Sequence, residues 1–141
     1  MFRFESLDVW NEAVEFAERV YGVTRHFPKE ERFGLTSQLR RSAVSISSNI
    51  AEGSGRYSDK DSAHYVEVAY ASLMESVSQV QVAFRVGFLR QSDRDTLYAR
   101  AEQLARMLSG LRSSLVRRAE ERGSRVQGKR GQLRTGEEPK N

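Results

Sequence analysis

The sequence predicts an all-α protein, an antiparallel up-down-up-down four-helix bundle followed by a basic tail. Three observations carry that prediction. Apolar residues recur at steps of three and four through four separate stretches, the spacing that lines one helix face. Short breaks rich in Gly, or holding Phe27-Pro28, separate the stretches, and short connections make consecutive helices antiparallel neighbours. No period-two alternation runs long enough for a strand. With 141 residues and no cysteine, the chain fits one domain that needs no disulfide.

The first helix is expected to open at Ser6, whose hydroxyl suits an N-cap, with Asp8 near the positive end of the dipole. It carries two neighbouring apolar sets, Val9, Ala13, Phe16, Val20 and Trp10, Val14, Ala17, Tyr21. Together they make a stripe wider than one core-facing seam requires. Phe27-Pro28 ends the helix, because a residue before proline avoids the α region.

Lys29-Glu30-Glu31-Arg32 is expected to start the second helix, with Phe33 and Leu35 as its first apolar residues. Its seam is narrow: Leu39, Ala43, Ile46 and Ile50, flanked by Ser42, Ser45, Ser47, Ser48 and Ala51. Short flanking side chains permit close helix approach. The segment Gly53-Ser54-Gly55-Arg56-Tyr57 is expected to break the helix, its two glycines permitting positive φ. Ser58 is the expected N-cap of the third helix, followed by Asp59 and Asp61. The third seam, Val66, Tyr70, Leu73, Val77, Val80 and Phe84, holds a heptad pattern and ends at Gly87. Ser92 repeats the cap logic before Leu97, Ala101, Leu104, Leu108, Leu111 and Leu115, with Arg112, Arg117 and Arg118 expected near the helix C-terminus. From Gly123 the pattern is lost, leaving isolated Val126 and Leu133. The expected division is a bundle over residues 1–118 and a disordered basic tail over 119–141.

The formal charge of +4 is unevenly spread. Residues 1–111 hold 14 Lys+Arg against 15 Asp+Glu, about −1, whereas residues 112–141 hold 9 against 4, about +5. The basic character therefore belongs to the tail, which attracts polyanions in a salt-sensitive way. The N-terminal residues lack a signal pattern and no apolar run approaches a membrane span, so a soluble cytoplasmic protein is the expectation.

Phe4, Leu7, Val9-Trp10, Phe27-Pro28, Glu31, Phe33-Gly34-Leu35, Gln38, Arg40-Arg41, Ser42 to Gly53 and Gly55-Arg56 resemble the four-helix bundle protein family, also called the 23S rRNA intervening-sequence protein or S23 family. The resemblance spans about residues 2–118 and is most specific over Arg40–Gly53. It implies a four-helix bundle assembled as a ring-shaped homopentamer. It also implies similarity in fold to the accessory variability protein of diversity-generating retroelements, which binds a reverse transcriptase and nucleic acid. No enzymatic activity and no cofactor are implied, and the family's molecular role is poorly defined. The family often has proline where this chain has Ser47, so a kink expected there is weaker or absent.

Candidate site residues fall into two groups. Arg40, Arg41, Arg56 and Lys60, with Arg117 and Arg118, are the candidate nucleic-acid-binding cations, since Arg suits bidentate phosphate contact. The structural alternative for the first four is pairing with Glu52, Glu67 or Glu75. Tyr57 and Tyr65 are the aromatics available for base stacking. Ser45, Ser48, Asn49 and Glu52 lower helix propensity and point to polar contacts between helices or subunits, with a polar ligand surface as the alternative. Trp10 and Tyr21 are candidates for core or subunit interface. His64 and Glu67 are three apart, but a di-iron bundle needs two Glu-x-x-His motifs in the opposite order, so no metal site is expected. Gly53-Ser54-Gly55 lacks the Gly-Lys-Ser/Thr of a phosphate loop.

Two functions follow. The first is a non-enzymatic homo-oligomer that binds RNA through its Arg-rich surface and tail. The second is a scaffold for a protein partner, consistent with the near-neutral body.

Overall fold

The computed structural model describes residues 1–134. Four helices account for most of them: α1 (Asp8–Thr24), α2 (Leu35–Ser54), α3 (Asp59–Arg85) and α4 (Gln91–Arg134). Short 3-10 turns at Arg3–Ser6 and Lys29–Glu31 precede α1 and α2. No strand occurs among the described residues.

Contacts between partners fix the topology. Arg40 on α2 reaches Thr24 on α1, Ser45 on α2 reaches Ser72 on α3, and Gly53 approaches Ser62. Glu67 on α3 meets Arg112 on α4, and Asp59 meets Arg122. Arg100 on α4 returns to Glu12 and Glu15 on α1. Along α2–α3 and α3–α4 one chain position rises as the other falls, so these pairs are antiparallel, and short connections place α1 antiparallel to α2. The ring α1–α2–α3–α4–α1 closes, as the sequence predicts.

The core follows the seams. Val9, Ala13, Phe16 and Val20 of α1 pack against Leu39, Ala43, Ile46 and Ile50 of α2 and Leu97, Leu104, Leu108 and Leu115 of α4, all buried. The other α1 set lies at the margin: Trp10 and Ala17 pack on the core partly buried, and Tyr21 is exposed. The α3 seam is rotated from the expected one. Val66, Leu73 and Val80 are buried, Val77 and Phe84 are half-buried, and Tyr70 is exposed. Ala63, Ala69, Ser72, Ser76 and Ala83 take the vacated interior positions. Small residues on α3 thus face the small shoulder of α2, which brings those two helices close.

Local signals differ from expectation at several ends. Leu7, not Ser6, is the N-cap of α1; the Ser6 hydroxyl donates to Arg3 O instead. Lys29–Glu31 stays a single 3-10 turn, and α2 begins at Leu35 after Gly34. The Glu31 carboxylate accepts from Leu35 N at 3.0 Å and supplies the negative end that the dipole favours. A Cβ on Gly34 would sit 2.7 Å from that carboxylate, so glycine makes room for the cap. Ser58 does cap α3, accepting from Asp61 N. The α3 C-terminus closes at Gly87, φ +87°, with Phe88 N donating to Ala83 O and Gly87 N to Phe84 O, a Schellman arrangement. Gln91, ahead of Ser92, starts α4. Helix α2 runs unbroken through Ser47, whose hydroxyl donates to Val44 O.

Two corrections bear on function. Helix α2 ends at Ser54, inside the expected break, but Gly53 is buried within the helix and Gly55 has φ −88°, so neither uses the positive φ that glycine permits. The second concerns the tail. Residues 119–134 of the expected tail continue α4 as helix, 44 residues in all. Arg112, Arg117 and Arg118 therefore sit mid-helix. Residues 135–141 of the expected tail lie outside the described residues.

Candidate nucleic-acid interface

The α2–α3 contact is built from hydroxyls. Ser42 Oγ lies 2.8 Å from Ser76 Oγ and 2.8 Å from Gln79 Oε1, while Ser45 Oγ lies 2.9 Å from Ser72 Oγ. Asn49 Nδ2 donates back to Ser45 O and Oγ, and Ser76 Oγ to Ser72 O. Each buried hydroxyl thus has a partner, as a buried polar group requires. Where the ladder ends, Gly53 meets α3 so closely that an added Cβ would lie 3.0 Å from Tyr65 Cβ and 3.3 Å from Ser62 O. Ser62 Oγ donates to Gly53 O at 2.8 Å. Ser45 therefore joins α2 to α3 within one chain, and Asn49 braces Ser45 along α2. Ser48 and Glu52 face solvent. Trp10 packs edge-on against Phe4, ring centroids 5.1 Å apart.

The candidate cations are not one patch. Arg40 donates to Thr24 Oγ1 at 2.8 Å and stacks over Tyr21, 4.5 Å from its centroid. Arg56 lies over Tyr65 at 4.3 Å and donates to its hydroxyl. Sixteen residues of mostly helical chain separate the two arginines, about 24 Å at 1.5 Å per residue. Arg41 is exposed and has no ion pair among the described residues. Lys60 is exposed at the first turn of α3, beside Asp61 and opposite Glu120 along a surface groove. None of these four forms an ion pair with Glu52, Glu67 or Glu75; Glu67 is taken by Arg112 at 2.7 Å. His64 is exposed, and among the described residues no group of three or more His, Cys, Asp or Glu is placed to hold a metal.

What the sequence reading missed is the continuation of α4. The core positions 97, 101, 104, 108, 111 and 115 alternate by four and three. The same steps continue to Arg118, Arg122, Arg125 and Lys129. The stripe that is leucine inside the bundle becomes cationic where the helix leaves it. At 100° per residue the four cations share an arc of about 60°. Arg122 Nε sits 3.5 Å from Asp59 Oδ2, a carboxylate oxygen with no hydrogen bond, and so fixes the stripe toward the α2–α3 end of the bundle. The heptad register was available in the sequence; the switch from Leu to Arg hid it.

Four helices, a polar interhelical ladder and a cationic helical arm define this as a helical bundle, and no helix among the described residues is long and apolar enough to cross a membrane. The chain belongs to the 23S rRNA-intervening sequence protein family, whose model matches residues 5–110. A protein of unknown function from the S23 ribosomal protein family of Bacteroides thetaiotaomicron VPI-5482 has a similar crystal structure, with TM-score 0.68 and 19% identity over 73% of this chain and 96% of that one. At that identity the likeness concerns the fold. No protein of curated function matches. The arm beyond residue 118 lies outside the family match.

Proposed function

We propose that this protein is a non-enzymatic, homo-oligomeric bundle of the cytoplasm that binds RNA, with the α4 arm as its main electrostatic contact. The observation that supports this reading most is the arm itself: Arg117, Arg118, Arg125, Lys129 and Arg130 are exposed and no ion pair among the described residues neutralises them. Arg41 and Lys60 add exposed cations on the bundle. Homopentameric assembly, the state the family resemblance implies, would multiply these contacts around a ring. Binding of this kind follows backbone and shape, with affinity falling steeply as salt rises. A filter-binding titration with structured RNA at low salt tests the reading. Saturable binding that weakens with salt supports it, and absence of binding overturns it.

A second reading is a scaffold for a protein partner. It is favoured by Met74, Val82 and Val86, apolar side chains of α3 and its C-cap that are between 41% and 55% exposed. A stoichiometric protein partner retained after nuclease treatment and at moderate salt would select this reading.

A further inference from the structure

We infer that the α4 arm and the α2–α3 turn form a corner that binds a single-stranded segment of RNA. This rests on the RNA-binding reading above and assigns it a site. One wall is the stripe Arg118, Arg122, Arg125 and Lys129, which spans about 17 Å along the helix at 1.5 Å per residue. Arg122 is held by Asp59, while the other three are exposed without an ion pair among the described residues. The floor is the turn just before Asp59. Tyr57, two residues away from that carboxylate, is fully exposed at 105%. Arg56, next to it in the chain, holds its guanidinium 4.3 Å from the Tyr65 ring centroid.

The arm needs a partner by its own composition. From Glu120 to Leu133 every residue is exposed, so no apolar face stabilises the helix. Gly123, Gly128 and Gly131 each cost about 1 kcal/mol against alanine in a helix interior. A polyanion that neutralises the stripe supplies the missing stabilisation. A second copy of the arm does not, because it would bring two cationic stripes together. Tyr57 selects among polyanions. An exposed ring offers a stacking face to an unpaired base, whereas bases in a duplex are already stacked.

The test uses the full chain and a fluorescein-labelled oligouridylate of about 12 nucleotides, within the usual site size for a single-strand binder. Two double variants remove the same charge. Arg125→Gln with Lys129→Gln lies on the stripe; Arg85→Gln with Arg106→Gln, exposed on the bundle, lies off it. Anisotropy titrations are run from low to moderate salt. Each phosphate contact on a single strand contributes about 0.7 to the slope of log affinity against log salt. Four contacts give a slope near −2.8, and the stripe variant halves it to about −1.4. The off-stripe variant leaves the slope near the parent value. Tyr57→Ala weakens oligouridylate binding by about five-fold or more and leaves competition by inorganic polyphosphate unchanged.

Equal losses from the two double variants overturn the corner and leave only diffuse attraction. Binding of structured RNA without binding of oligouridylate overturns the corner while the RNA-binding reading stands. No binding of either RNA overturns both. A circular dichroism spectrum matching the parent confirms that each variant is folded before its affinity is read.

Discussion

Replacing Gly53 by alanine tests the close approach of α2 and α3. Two effects of opposite sign compete. Alanine in a helix interior is favoured over glycine by about 1 kcal/mol, and Gly53 has no positive φ that would forbid it. Against this, the new Cβ would stand 3.0 Å from Tyr65 Cβ and 3.3 Å from Ser62 O. Carbon pairs prefer about 3.5–4.0 Å. Neither neighbour is the free end of a flexible side chain, so the helices must part by several tenths of an ångström. The hydroxyl ladder, with contacts of 2.8 and 2.9 Å, stretches with them. Overpacking of this kind costs about 1–3 kcal/mol, so the steric term wins and Gly53→Ala lowers stability by about 1 kcal/mol net. Gly110→Ala is the matched control. Gly110 lies in α4 with nothing within 4 Å of a built Cβ, so the same change raises stability by about 1 kcal/mol. Urea unfolding followed by circular dichroism, at one protein concentration, reads both. If the two variants shift the midpoint in the same direction and by the same amount, the close-packing argument is wrong.

Three further outcomes are expected from the same assay or its relatives. Leu108→Ala removes a side chain with 0% exposure and costs about 2–5 kcal/mol of unfolding free energy; a loss under 1 kcal/mol would mean that α4 does not face the core as described. A double-mutant cycle of Ser42→Ala and Ser76→Ala gives a coupling of about 0.5–1.5 kcal/mol, the net value of one buried hydrogen bond, and zero coupling would dissolve the ladder. Gly123→Ala with Gly128→Ala stabilises the arm by about 2 kcal/mol, because both positions are open and glycine is their main helical defect. Amide exchange within residues 119–134 slows in that variant, and unchanged exchange would count against a helical arm.

Much of the bundle was legible because burial follows periodicity. Leu39, Ala43, Ile46 and Ile50 were expected as one seam and are all buried. The same holds for Leu97, Leu104 and Leu108. Periodicity was less informative where two surfaces compete for a helix. Helix α3 packs against both α2 and α4, and its face turned toward Ala69, Ser72 and Ser76 rather than Tyr70. A serine reads as surface until its partner is known, so the half of the ladder on α3 was not visible, although Ser45 and Asn49 on α2 were singled out. Gly53 shows the same gap: a glycine near a helix end suggests a turn, and only the facing backbone reveals a packing role. At the candidate interface, composition identified the basic region but not its helical register. Arg118, Arg122, Arg125 and Lys129 keep the register of the leucines before them, and a pattern sought only among apolar residues passes over them.

The salt dependence of RNA binding by the full chain, beside a chain ending at residue 118, tests the central claim most directly. The account predicts saturable binding by the full chain, with log affinity falling against log salt at a slope of about −3. It predicts that the shortened chain, still folded, binds at least ten-fold more weakly with a slope nearer zero. Equal affinity and equal slope for the two chains would contradict it.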